Sequence, residues 1–511
     1  MRRLILSLIV TTFILTFNYC ASDGDNNNDN SSAPTITSLA PSSKAANIPA
    51  FTLTVNGTNF SAKSVIVFNN VEKQTTFDSS TQLTCQIDTS EIQLVSLESS
   101  QHPEFYNIQN KSITVIVRNP SSEGGDSSPA TFTVLSNPEF NQFRSVPGGY
   151  EHQHSVVDES GNIYLVWHDW VSADDRYDIF FSKSSDYGVT WSQRLNITYP
   201  EAWYINTYSF CPFIARDSSG MIYVSWLWGS GDTDLLLRTS SDNGNSWSAT
   251  TNTIAQSDSS KHIEYEVKSA FVIDNNGYLN MLWSYYDLKT YSDYLSYSRS
   301  TDKGNTWSIP KVIQDFSGIF KMIKMAIAND GTIYLLIEDW SKDDYKIYFL
   351  SSLNNGTTWS QPLKLNTPEM GNNAHGPAIA LDSQGNIHTV MPVGPVSSPN
   401  IWYRKSTDKG VSWSSPQNLS NNVNNSTAPQ IVIDRLGNIN VVWYEGKNLF
   451  FCRSINNGTS WTTPANITNF SDGSAGYPFM TVDNDCNIYI FWEGNPPPTK
   501  TVGLYFNFSK K

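Results

Sequence analysis

The sequence predicts an all-β protein: a β-propeller of seven blades, with six as the alternative, behind a small N-terminal β-sandwich. Three observations predict it. Aromatic residues make up 13% of the 511-residue chain, with 16 Trp and 25 Tyr, and Gly, Asn, Ser and Asp punctuate short apolar runs. One hairpin sequence recurs six times, its tryptophans 56, 60, 52, 54 and 48 residues apart, about the length of a four-stranded blade. A second unit, a turn followed by an apolar strand, recurs seven times between those hairpins.

The chain opens on Arg2 and Arg3, an apolar run from Leu4 to Phe17, and then Cys20. The run is too short to span a bilayer as a mature helix and has the order of a secretion signal. The segment resembles a bacterial lipoprotein signal. That resemblance implies cleavage after residue 19, lipidation of Cys20 and an exported protein anchored to the cell envelope, at the outer membrane or cell surface. Plain secretion and a retained anchor are the alternatives. Residues 20–33, rich in Asn and Asp, have almost nothing to bury and read as a tether.

Residues 34–136 form the sandwich. Alternating strands are expected at Phe51–Phe60, Ser64–Phe68, Ile113–Val117 and Ala130–Leu135. The opening Pro34-Thr35-Ile36-Thr37-Ser38-Leu39-Ala40-Pro41-Ser42-Ser43 and the strand-turn Leu53-Thr54-Val55-Asn56-Gly57-Thr58-Asn59-Phe60 resemble the IPT/TIG family of immunoglobulin-like domains. Such modules usually serve as spacers or adhesion modules, which implies a stalk.

Residues 137–511 form the propeller. Its six hairpins follow the pattern Ser-x-Asp/Asn-x-Gly-x-Ser/Thr-Trp, with the acid or amide at Asp186, Asp242, Asp302, Asn354, Asp408 and Asn456. The carboxylate or amide is expected to accept hydrogen bonds from turn amides two or three residues on, and the Gly to supply positive φ. The Trp should pack on the blade. This is similar to the Asp-box, or BNR, repeat of sialidase-type propellers. The seventh unit, ending at Gly503–Phe508, lacks an outer strand, and Asn141–Val146 is positioned to supply it and close the ring.

The family geometry implies that the boxes are scaffold on one face. The opposite face then carries the loops after each second strand and the approaches to each first strand. There the sequence offers Asp169, Glu338, Asp339 and Glu445 as acids for a glycosidase, and Glu493 beside them. Trp170, Arg176, Trp228, Tyr285, Tyr286, Trp340, His154 and His375 are binding candidates, with His152, Trp203, Tyr204, Asp174, Asp175, His262, Glu264 and Glu266 nearby. Rings stack on pyranose faces, and paired acids can serve as proton donor and base or nucleophile. The bland alternative for each is a solvated loop tip or a ring packed on a neighbouring blade.

Sialidases clamp their substrate carboxylate with three arginines, whose fork lysine does not reproduce. Placed by the repeat, Arg238, Arg299, Arg404, Arg453, Arg216 and Arg435 fall on the box face and Arg194 in an outer strand, leaving Arg144 and Arg176. Two arginines do not make that clamp, and sialidase chemistry is not expected.

The net charge of -14 argues against nucleic acid as a partner. No cofactor or metal is expected, since the seven His are dispersed and no ligand motif appears. Cys85, Cys211, Cys452 and Cys486 read as buried thiols, with a Cys452–Cys486 pair the alternative. Three functions remain: a surface lipoprotein whose propeller binds carbohydrate or a host or surface glycoprotein; a glycoside hydrolase of non-sialidase type; and a protein-interaction scaffold.

Overall fold

The computed structural model describes residues 32–45, 50–92, 111–135, 144–146, 151–171, 176–198, 208–229, 233–248, 251–255, 261–263, 269–340, 345–421, 424–496 and 503–509. The expectations for residues 1–31, Cys20 among them, and for Trp203, Tyr204, Asp174, Asp175, Glu264 and Glu266 lie outside these residues.

The N-terminal module is a two-sheet sandwich. One sheet runs Thr35–Ala40, Phe51–Thr58, Gln82–Ile87, Thr75–Ser79; the other runs Ser43–Ala45, Ala130–Leu135, Lys111–Arg118, Val65–Phe68, Val71–Glu72. Period-2 alternation sends Leu53, Val55, Leu83, Ile113, Val115 and Phe132 into the core. The Thr75–Ile87 hairpin escapes the sequence reading because its first strand, Thr75–Ser79, buries no side chain.

Seven antiparallel sheets follow, running from inner to outer strand in chain order except in the last; six have four strands, and in blade 3 two short strands, Lys261–Ile263 and Ser269–Ile273, both pair with Leu279–Asp287. Blade 1 comprises Glu151–Val157, Ile163–Val171, Arg176–Ser184 and Leu195–Asn196. Blades 2 to 6 occupy residues 208–255, 261–318, 320–364, 378–418 and 426–466. Blade 7 has Ala475–Val482, Ile488–Gly494 and Gly503–Ser509, and its outer strand is Arg144–Ser145, paired with Phe506 and Tyr505. Val146 continues the seam, donating its amide to the Leu504 carbonyl at 3.0 Å while burying its side chain. The ring therefore has seven blades, closed by the N-terminal strand. Each second strand is packed between neighbouring blades, so its side chains are buried whichever way they point: Ile333–Asp339 is buried at every position.

The boxes are the joints between blades. In blade 5, Asp408 Oδ1 accepts the Ser412 amide at 2.8 Å, four residues on rather than the two or three expected. Hydrogen bonds from the Ser412 hydroxyl, the Ser412 amide and Ser406 hold the Asp408 carboxyl down at about 2. The leading Ser has a role the sequence reading missed: Ser406 Oγ donates to Asp408 and accepts the Gly410 amide at 2.9 Å. Both Lys409 (φ 61°) and Gly410 (φ 90°) are left-handed. The box Gly lies against the third strand of the preceding blade, Gly188 on Phe506, Gly244 on Phe181, Gly304 on Leu237, Gly356 on Tyr297, Gly410 on Phe349 and Gly458 on Tyr403. The box Trp packs edge-on to the same ring, as Trp413 does on Phe349 at 5.2 Å and Trp461 on Tyr403 at 4.9 Å. It thus clamps the neighbouring blade as well as capping its own. All four described cysteines are buried and outside any disulfide, Cys452 and Cys486 included.

Candidate functional site

In an up-and-down blade, the turn between strands one and two and the box turn between strands three and four share one face. The loops between strands two and three therefore emerge on the other. The first strands line the axis, where they enclose a cavity of about 720 Å³. Its walls come from Gln153 and His154 of blade 1, Cys211 and Phe213 of blade 2, Phe271 of blade 3, Met322 and Lys324 of blade 4, Gln430 of blade 6, and Tyr477, Phe479 and Glu493 of blade 7, with Gly376 before blade 5.

A recurrent backbone device shapes this wall. First strands carry a bulge opposite the second strand, at Glu151/His154, Phe210/Phe213, Phe320/Met322, Thr427/Gln430 and Gly476/Phe479. In blades 2, 6 and 7 a left-handed residue followed by proline marks the place, Cys211-Pro212 (φ 50°), Ala428-Pro429 (φ 50°) and Tyr477-Pro478 (φ 45°), and Gly376-Pro377 (φ 41°) precedes the first strand of blade 5, which pairs without a bulge. The bulge turns backbone toward the axis, and proline removes an amide the ladder does not need there. These x-Pro pairs inside strand patterns were the available signal for the cavity wall, and the sequence reading passed over them.

In two blades the amide of that left-handed residue is received by the sixth residue of the second strand in the preceding blade. Glu338 accepts the Gly376 amide at 2.9 Å, and His168 Nδ1 accepts the Cys211 amide at 3.3 Å. Glu338 also takes the Trp340 indole N–H and faces His375 Nδ1 at 3.3 Å. Three predicted residues, Glu338, Trp340 and His375, thus meet at one place. Trp340 and Tyr345 lie 4.6 Å apart, Tyr345 and His375 4.7 Å, and the Lys321 ammonium sits 5.2 Å over the Trp340 ring. Buried under three donors, Glu338 is an inter-blade latch.

The other predicted acids are also engaged. Glu445 is buried and accepts from Trp443 Nε1, Asn424 and Ser426 at 3.0–3.1 Å. Asp169 pairs with Arg194 at 2.9 Å, on the outer side of its own blade. Asp339 is buried, in register with Lys346 of the third strand.

Of the binding candidates, Trp170 is exposed and packs edge-on to Tyr177 at 4.9 Å. Arg176 is bound to Asp178 at 3.0 Å, and Trp228 is half-buried against the core between blades 1 and 2. Tyr285 is core, stacked on Tyr294 at 5.8 Å, and half-buried Tyr286 pairs in register with His262 and Asp293. Only His154 lines the cavity itself, with Phe479 at 4.4 Å and Phe213 at 5.4 Å. Burial, with the nearby Lys324 charge, pushes its pKa down to about 3, so it is neutral in ordinary buffers. The side chains of His152 and His262 are outside the described set.

No arginine is among the described residues of the cavity wall; Lys324 supplies its cation, and Glu493 its carboxylate. Arg144 forms part of the outer strand of blade 7. Arg238 bonds the Ile197 carbonyl, Arg404 the Leu365 carbonyl and Arg453 the Asn440 amide oxygen. The described residues bring no three-arginine clamp together.

Among solved structures, a Dyadobacter fermentans protein of unknown function aligns at 12% identity and a TM-score of 0.45, over 74% of this chain and 100% of its own. The Hadza microbial sialidase Hz136 aligns at 16% and 0.41, over 84% and 76%. A PL25 ulvan lyase aligns at 11% and 0.48, over 72% and 96%. No curated protein matches the chain. Residues 34–134 match the model of the IPT/TIG domain, and residues 151–389 match that of the BNR repeat-like domain.

Proposed function

We propose that the propeller is a carbohydrate-binding head, carried on the sandwich as a stalk and held at the cell envelope through lipid on Cys20. The observation that carries the binding reading is the axial cavity. It is about 720 Å³, the size of a small-ligand pocket, and mixes ring faces with a few polar groups. Phe213, Tyr477 and Phe479 offer faces for pyranose rings, and Gln153, His154 and Gln430 can meet hydroxyls. Hydrolysis by acid pairs asks for two carboxylates about 5–9.5 Å apart. The described wall offers Glu493, while Glu338 and Glu445 are committed to structural donors.

A glycan array with the purified chain, followed by calorimetry, tests the reading. Binding without release of reducing ends, weakened at least ten-fold by Phe479→Ala, is the expected result. Turnover that disappears in Glu338→Gln would point instead to a hydrolase. A silent array alongside recovery of a protein partner would point to the scaffold. Anchoring is tested separately, by loss of metabolic lipid labelling in Cys20→Ala.

A further inference from the structure

Within that reading, we propose that the cavity selects an anionic saccharide, one bearing a carboxylate or a sulfate ester, by seating the oxyanion on the Lys324 ammonium. Lys324 comes from the middle of the blade 4 first strand, in register with Leu336. Its neighbours Ile323 and Met325 are buried in the core between blades 3 and 4, and strand alternation turns Lys324 the other way, into the cavity. It is the one cation among the described wall residues of a chain whose net charge is -14.

Nothing among the described residues neutralises this ammonium directly. No hydrogen bond or ion pair ties Nζ, and Glu338 reaches it only through space, its oxygens being occupied by Trp340, His375 and the Gly376 amide. Burial lowers the Lys324 pKa, so the charged form is costly until a counter-charge arrives. An anion entering the cavity offsets that cost at the moment of binding. Glu493, the carboxylate of the wall, stands on blade 7, three blades round the ring, and repels an anion toward blade 4. Gln153 Oε1 is buried without a partner and can receive a sugar hydroxyl. A single lysine is a compact point charge without the planar fork of arginine. It therefore fixes the sign of the ligand and leaves the geometry of the oxyanion open, which is why carboxylate and sulfate belong to one proposal.

The test uses the purified full-length chain against three arrayed sets: uronate oligosaccharides, sulfate-ester oligosaccharides and neutral oligosaccharides of the same linkages. The best ligand of each set is then titrated by calorimetry into wild type, Lys324→Met and Lys324→Arg. The expected result is at least ten-fold tighter binding of one anionic set, the favoured set telling carboxylate from sulfate. Lys324→Met should then weaken that binding by about ten- to a hundred-fold, the usual worth of a charge-assisted contact, and spare neutral ligands. Equal binding of neutral and anionic sets, or a preference that survives Lys324→Met, overturns this proposal and leaves carbohydrate binding standing. Silence from all three sets overturns both. Should Lys324→Met fail to fold, the salt dependence of wild-type binding decides: affinity that falls between 50 and 500 mM NaCl supports the contact, and flat affinity overturns it.

Discussion

Replacing Gly410 by alanine tests whether the boxes act as joints between blades. Two costs add at this position. Its φ of 90° is one that a residue with a Cβ adopts at a cost of about 1–2 kcal/mol. The added methyl would also lie under 3.0 Å from the Phe349 ring edge of the preceding blade, inside any distance carbon atoms tolerate. Phe349 is 2% exposed and held between Trp413 at 5.2 Å and Tyr334 at 5.9 Å, so the ring cannot swing aside without repacking the joint. Overpacking of this kind costs about 1–3 kcal/mol, for a total of about 2–5 kcal/mol. Gly437→Ala is the control: φ is 80°, but a methyl there meets nothing within 4 Å, so only the backbone cost of about 1–2 kcal/mol applies. Urea unfolding followed by tryptophan fluorescence compares the two, and Phe349→Leu added to Gly410→Ala should recover part of the loss. Equal destabilisation by the two alanines, or no recovery in the double variant, would refute the inter-blade account.

Glu338→Ala strands the Gly376 amide and the Trp340 indole and should cost about 2–4 kcal/mol in the same unfolding assay. Asp169→Asn, which breaks only a half-exposed pair with Arg194, should cost less than about 1 kcal/mol. The box acids set an acid limit. Because the Asp408 carboxyl sits at about 2 when folded and near 4 when unfolded, its contribution is complete above pH 4 and disappears as pH falls through 2. Asp408→Asn, the residue type blades 4 and 6 already use at Asn354 and Asn456, should flatten that part of the stability–pH curve near neutral strength. A chain beginning at residue 147 loses the Arg144–Val146 seam; hydrogen exchange at Tyr505 and Phe506 should quicken and the unfolding midpoint fall.

The fold was legible because its signals are local and repeated. Each box spells its own turn, and the count of turn-and-strand units, with one strand missing at the C-terminus, calls for a donor that Arg144–Ser145 provides. The site was less legible. Residue type and loop position nominated Asp169, Glu338 and Glu445, but whether a carboxylate is free depends on partners far away in sequence. Gly376, 38 residues beyond Glu338, claims one of its oxygens. Lys324 passed unnoticed because one basic residue in an alternating strand looks like any solvent-facing position. Only ring closure reveals that the inner face of a first strand fronts a cavity. The two arginines that the repeat left for the site do not reach the cavity wall: Arg144 lies in the outer strand of blade 7 and Arg176 is bound to Asp178.

The strand that completes blade 7 lies 362 residues upstream of its partner, Arg144 against Phe506. The ring therefore cannot lock until both of these segments have been made, and joining strands so distant in sequence is slow. Until then blade 7 keeps an unsatisfied edge, open to pairing with another strand.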